Sequence, residues 1–444
     1  MRPTQAKDHP AAEPLHGPCP AAPAGSSPWR SLSIQASTGT PPGSEGPHGD
    51  VLPALRPGAV DADVHTAIGN VLERVLADRL TRAGAVDAVF ARELGERVAR
   101  FTKEGGRRLR SQLVWWSMRV CGGDDGATAA AALRIGAAIE LLQSCALVHD
   151  DVMDGATLRR GRPALHADVR ERYSRAASPD RAARFGVAAA ILAGDLALAW
   201  ADDVVAETAL DARTATSVRR LWSDMRTEMV AGQFLDLRGQ LTGTRSQVEA
   251  LRAAHLKSAL YSVERPLALG AVVANADART IRALSSTGRC VGMAFQLRDD
   301  LDDLFGDPLQ TGKSCGGDIR EGKPTYLAAL AMARAEATGD RPAQAVLERA
   351  LGDENLTPAG LDEVREVLVR TGARQAVETK IAHLAAEGLR HFDDAAFTAE
   401  AKGRLRSLLT AATAPRTVDG PPARSRPTPP AAPVGLVTPK EAQQ

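Results

Sequence analysis

Two long apolar stretches of helical period each run into a cluster of aspartates, and that repeated join constrains the fold more than any other feature of this sequence. The first is Ala137–Asp154 (AAIELLQSCALVHDDVMD) and the second Thr287–Phe305 (TGRCVGMAFQLRDDLDDLF). Ile135, Ile139, Leu142 and Ala146 trace one apolar stripe, and the same period carried forward places Asp150 and Asp154 four apart on one helix face. Asp299 and Asp303 repeat the spacing. Like charges so placed destabilise an isolated helix by roughly a few tenths of a kcal/mol, so each cluster calls for a compensating cation. Few, hard oxygen ligands suit Mg²⁺, which keeps waters and binds jointly with substrate phosphates. Either cluster alone reads equally well as a solvated acidic helix end. Both together, each behind a strongly apolar helix, predict acids at the mouth of an apolar cavity.

The rest of the folded chain is helical too. Val64, Ile68, Val71, Leu72, Val75 and Leu76 form another stripe, and convincing period-2 segments are absent. Turn-rich breaks at 122–126, 178–180, 306–322 and 339–342 divide the chain into about ten or more helices. The expected class is all-α, a single-domain multi-helix bundle over residues 61–414. Pro266, inside the helical stretch Leu251–Val273, should kink it by removing one backbone bond. Residues 1–60 and 415–444 are dense in Pro, Gly, Ser and Ala, bury too little apolar surface to order, and read as disordered tails.

Composition removes several function classes. Lys plus Arg (55) nearly cancels Asp plus Glu (54), so no global field favours nucleic acid or anionic lipid. Five scattered cysteines, Cys19, Cys121, Cys145, Cys290 and Cys315, never spaced CxxC, argue against a disulfide framework or a zinc site. With no run of about 18 apolar residues and no signal-like N-terminus, the expectation is a cytoplasmic protein without stable membrane insertion.

Cationic groups narrow the substrate, because a diphosphate needs Arg or Lys and free backbone donors beside the metal. In Glu104–Arg110 (EGGRRLR) two glycines open a predicted helix on which Arg107 and Arg110 share a face. Leu158–Pro163 (LRRGRP) offers Arg159 and Arg160 just beyond the first acidic cluster. Each also reads as a solvated basic patch when taken singly.

GGRRLR, LLQSCALVHDDVMD with LRRGRPALH, AGQFLD, HLKSAL, FQLRDDLDDLFGD and TGKSCGGDIREGK follow in order the motif series of the trans (head-to-tail) isoprenyl diphosphate synthases. Over about residues 65–330 the chain resembles this polyprenyl synthetase family, most of all bacterial geranylgeranyl diphosphate synthases. The resemblance implies the class I isoprenoid synthase fold around a central prenyl-binding cavity, and a homodimer. It implies Asp150, Asp154 and Asp299 as principal ligands of a three-magnesium cluster holding an allylic diphosphate, with Asp151, Asp300 and Asp303 in support. Arg159, Lys257 and Lys313 resemble the clamp on that diphosphate. Arg107, Arg110, Gln143 and Arg160 resemble the metal-free pocket for isopentenyl diphosphate, with Phe295 against its hydrocarbon. Ser258, Gln233, Asp236 and Gln296 resemble residues lining the reacting centre, and Lys323 belongs to a closing loop over 307–323.

Some positions depart from the family pattern. Arg107 stands where Lys is common, Ser258 where Thr is, and Ser111 where Pro is usual. His149 reads as a packed residue rather than a ligand. The family's product grows below the first cluster, onto the residues four and five before Asp150. Here these are the small Ala146 and Cys145, roughly 6 to 7.5 Å down the helix, where farnesyl-length enzymes carry an aromatic. Geranylgeranyl diphosphate, C20, is therefore the expected product, with farnesyl or longer chains as alternatives. A class I terpene cyclase, a non-catalytic prenyltransferase subunit and a metal-buffering helical protein are the rival readings. The first lacks a reason for the GGRRLR pocket, and the second usually loses the Asp and Lys residues kept here.

Overall fold

The computed structural model describes residues 56–307, 315–395 and 397–415, so both predicted tails fall almost wholly outside it, as does Lys313. Helices α1 (Pro57–Ala62), α2 (Val64–Val86), α3 (Ala88–Phe90), α4 (Glu96–Lys103), α5 (Leu109–Val120) and α6 (Gly126–Met153) form the first half of the bundle. α7 (Leu165–Tyr173), α8 (Pro179–Ala206), α9 (Ala212–Thr242), α10 (Gln247–Ala254), α11 (Arg265–Val273) and α12 (Ala278–Phe305) follow. A short α13 (Gly317–Arg320) then precedes α14 (Tyr326–Thr338), α15 (Arg341–Ala350), α16 (Pro358–Arg370), α17 (Ala373–Asp393) and α18 (Ala399–Thr413).

Helix starts follow from local chemistry. Asp63, Asp125, Asp211, Asp277 and Asp340 accept hydrogen bonds from backbone N–H groups in the first turns of α2, α6, α9, α12 and α15, and Ser246, Thr325 and Thr357 do the same for α10, α14 and α16. Each such cap stabilises its helix by about 1 kcal/mol.

Two buried cores result. One takes Leu72, Leu113, Trp115, Ile135, Ile139, Trp222, Leu267, Leu284 and Val291. The other takes Ala294, Leu297, Leu301, Leu304, Met332, Leu347, Val364 and Ile381. Helix α12 contributes to both.

Three local expectations are corrected. Between α10 and α11 the chain is π-helical over His255–Glu264, and Pro266 falls in the first turn of α11. The break is thus taken up as ten residues of wider helix ahead of the proline. Second, α5 begins only at Leu109, behind Arg108 in the left-handed region (φ 50°), so Arg107 and Arg110 share no helical face. Third, LRRGRP is a two-stranded hairpin, β1 (Leu158–Arg159) and β2 (Arg162–Pro163), with Leu158 opposite Pro163. Its turn residues Arg160 and Gly161 both have positive φ, 55° and 71°, the mirror-image turn that matches strand twist.

α6 and α8 are each long and apolar enough on mean hydropathy to cross a membrane. Most of α6 is buried in the first core, whereas α8 buries Ala189, Ala190, Ala193 and Ala197 and exposes Phe185, Ile191 and Leu192.

Candidate active site

The first acidic cluster closes α6. Asp150 Oδ1 accepts from Lys257 Nζ at 3.2 Å and from Gln233 Nε2 at 3.3 Å, and Arg159 Nη2 stands 3.6 Å from its other oxygen. Burial alone would raise the Asp150 pKa, but Lys257, Lys323 and Arg159 outweigh it and hold the carboxyl below its ordinary range. Asp151 is buried and accepts from Arg159 Nε at 2.7 Å, the arginine being aimed by the hairpin. Lys257 also donates to Asp236 Oδ2 at 2.7 Å, and the two carboxylates keep the ammonium charged despite its burial.

The second cluster closes α12. Asp300 is buried and accepts from Gln296 at 2.8 Å. Burial, then the charge of Asp318, holds its carboxyl well above the usual carboxylate range. The Asp318 N–H donates to Asp303 Oδ2 at 3.2 Å, and the Gly316 N–H donates to the Asp303 carbonyl at 2.8 Å.

Lys323 reaches from the first cluster to Asp318, the residue bonded to Asp303 of the second. Its Nζ donates to Asp154 at 3.0 Å, lies 3.6 Å from Asp318 and pairs with Glu321. Burial opposes its charge, yet Asp318, Asp154 and Glu321 drive its pKa up. Asp318, Glu321 and Tyr261 are residues that sequence reasoning passed over. The signal for the first two was the acidic spacing within GDIREGK, just ahead of a singled-out lysine.

A second cationic group lies beside this one. Arg110 donates to Ser262 Oγ at 2.8 Å and covers the Tyr261 ring at 4.4 Å, while the Tyr261 hydroxyl donates to Gln143 at 2.8 Å. Arg160 reaches the Glu104 carbonyl at 3.1 Å and lies over Phe101. Burial, and then the guanidiniums of Arg159 and Arg110 against the pull of Glu140, hold Arg160 below its ordinary range. Crowded guanidiniums of this kind are relieved by an anion. Arg107 lines a cavity of about 140 Å³ with Phe295, Arg298 and Leu408. Ser258 is half-buried on the π-helical segment next to Lys257. Ser111 Oγ lies 2.5 Å from Glu140 Oε1 and 2.8 Å from the Gly136 carbonyl, tying α5 to α6.

The donor set fits a hard divalent cation. Asp154 Oδ1 and Asp151 Oδ2 are buried oxygens without a hydrogen bond among the described residues, and such oxygens ask for a ligand.

Residues 91–368 match the polyprenyl synthetase family. The chain belongs to that family. The short chain isoprenyl diphosphate synthase of Methanothermobacter thermautotrophicus is 32% identical to this polyprenyl synthetase over 294 residues, covering 62% of this chain and 84% of its own. The farnesyl diphosphate synthase of Geobacillus stearothermophilus is 36% identical over 254 residues, 55% of this chain and 77% of its own. Among solved structures, the geranylgeranyl pyrophosphate synthase of Corynebacterium glutamicum, complexed with isoprenyl diphosphate and magnesium, is similar with a TM-score of 0.73 and 34% identity. That match covers 79% of this polyprenyl synthetase and 99% of the other chain. The fold is accordingly the all-α isoprenoid synthase fold, and the activity is that of a trans-prenyltransferase.

Beneath the first cluster Cys145 is buried, its thiol pushed up to about 12 by burial. Its Sγ lies 3.7 Å from His149 Nδ1, and His149 Nε2 donates to the Ile191 carbonyl at 3.1 Å, which fixes the ring proton on Nε2. Gly194 makes room for that ring, since a Cβ there would stand 2.1 Å from Nε2.

Proposed function

We propose that this polyprenyl synthetase condenses isopentenyl diphosphate with an allylic diphosphate (dimethylallyl, geranyl or farnesyl) to give geranylgeranyl diphosphate and release diphosphate. The observation that carries the reading is the pairing of Lys257, Arg159 and Lys323 with the first aspartate cluster, Lys323 also reaching Asp318, which is bonded to the second, beside a further group of guanidiniums. Asp150, Asp154 and Asp299 hold Mg²⁺, three ions per site with diphosphate bound, and Asp151, Asp300 and Asp303 support them. The bound ions supply positive charge to the departing diphosphate.

The chain's own groups do the rest. Arg159, Lys257 and Lys313 stabilise charge that develops on the diphosphate only as the allylic C–O bond breaks, which is where electrostatic preorganisation accelerates a reaction. Arg107, Arg110, Gln143 and Arg160 hold isopentenyl diphosphate, with Phe295 against its hydrocarbon, so that its double bond attacks the allylic C1. The adduct then loses a proton to the released diphosphate. Ser258, Gln233, Asp236 and Gln296 line the reacting centre, and Lys323 closes over it.

Cys145 and Ala146 leave space for a fourth isoprene unit. Radiolabelled isopentenyl diphosphate with farnesyl diphosphate and Mg²⁺ gives a C20 product; recovery of C15 alone from shorter primers overturns the assignment. Cys145→Phe or Ala146→Phe shifts the main product to C15 by chromatography, and unchanged C20 output would place the cavity floor elsewhere.

The working unit is a homodimer in the cytoplasm. Phe185, Ile191 and Leu192 of α8 and Val230, Phe234 and Leu241 of α9 are exposed, an apolar surface of the kind that marks an interface. Leu192→Glu combined with Phe234→Glu halves the mass measured by light scattering; a dimer that persists places the interface on other helices.

A further inference from the structure

We propose that Cys290, Glu387 and His391 form a second metal site, remote from the aspartate clusters and suited to a borderline-soft ion such as Zn²⁺ rather than to Mg²⁺. Cys290 lies on α12 nine residues ahead of Asp299, roughly 14 Å along the axis at 1.5 Å per residue. Glu387 and His391 lie one turn apart on α17 and share a face.

One donor atom from each of the three lies within 4.8 Å of the other two. Ligand atoms around tetrahedral zinc stand about 3.3 to 3.7 Å apart, given metal–ligand distances of 2.0 to 2.3 Å. Side-chain rotation closes the difference, because His391 is exposed and Glu387 half-buried. The backbone already brings the helices close. A Cβ on Gly388 would stand 2.8 Å from Val291 Cγ2 and 3.2 Å from both Cys290 Cβ and the Thr287 carbonyl, so α17 docks against α12 at this glycine.

The carboxylate is flanked on both sides. His391 Nε2 lies 3.9 Å from Glu387 Oε1, and His383 Nδ1, one turn earlier, lies 3.8 Å from Oε2. His383 is thereby placed to orient the ligating carboxylate, as outer partners do in metal sites, with the fourth position left to water. Thiolate, imidazole and carboxylate together select zinc-like ions, whereas magnesium prefers oxygen alone. Cysteine spacing argues against a zinc site in this sequence, but spacing does not register ligands brought together from two helices far apart in the chain. An ion here pins α12, which carries the second aspartate cluster, to α17.

The test is a Co²⁺ titration of the full chain in excess Mg²⁺. One equivalent gives a thiolate-to-cobalt charge-transfer band with visible bands of tetrahedral intensity, and Zn²⁺ displaces it. Cys290→Ser abolishes the charge-transfer band, and His391→Gln weakens binding at least about tenfold, the size of effect that outer partners alone produce. Zn²⁺ raises the melting temperature of the parent chain and not of His391→Gln. A parent chain without the band, a band that survives Cys290→Ser, or unchanged affinity in His391→Gln overturns the proposal. If Cys290→Ser fails to fold by circular dichroism, the exposed His391→Gln decides the matter.

Discussion

Asp150→Asn lowers turnover by roughly a hundred- to a thousandfold, the loss expected when one preorganised electrostatic group is removed from the place where charge develops. The substitution keeps the shape and takes away the charge on which Lys257, Gln233 and Arg159 converge. Stability changes little, by about 1 kcal/mol, because neither cation is left without a partner. Lys257 keeps Asp236 at 2.7 Å, and Arg159 keeps Asp151. Steady-state assays across Mg²⁺ concentrations, paired with thermal melts, check the result. A fall in activity matched by a collapse in melting temperature would make Asp150 a structural residue, and near-normal turnover would remove the first cluster from the chemistry.

Gly232→Ala destabilises the fold by about 1 to 3 kcal/mol, the range for overpacking a tight interior, and lowers kcat as well. A Cβ there would stand 2.1 Å from Lys257 N and 2.5 Å from its Cα. Every close atom is backbone, so no side chain can yield, and α9 must part from the π-helical segment. That movement draws the Lys257 ammonium away from Asp236 and Asp150, which are supplied by α9 and α6. Gly84→Ala is the control: nothing lies within 4 Å of a Cβ there, and α2 should gain up to about 1 kcal/mol from the better helix former. Denaturant melts and initial rates measured together separate the two. Full activity in a destabilised Gly232→Ala would show that Lys257 does not depend on this crossing.

What was legible in the sequence was whatever rests on local period. The apolar stripes of α2, α6 and α12 and the aspartates at the ends of α6 and α12 follow from helical spacing, which a chain carries on its face. The π-helical segment did not: it lies against α9 at Gly232 with Pro266 behind it, surroundings that no local period records. The hairpin at 158–163 was hidden by its length: two-residue strands show no alternation, and only the Arg160–Gly161 pair hinted at a turn. The helix face expected to be shared by Arg107 and Arg110 does not form because a single residue, Arg108, enters the left-handed region and delays α5. Asp318 and Glu321 gain their place through Lys323, a contact reaching back to Asp154 that no spacing rule contains.

Helix α12 has a thermodynamic consequence. Leu284 and Val291 belong to one core and Leu297, Leu301 and Leu304 to the other, all within 28 residues of one helix. Loosening either core strips apolar packing from one side of this shared wall, so the stabilities of the two cores are coupled through α12. Asp299 and Asp303 stand at the end of that wall, so a change that loosens either core reaches them through the one helix.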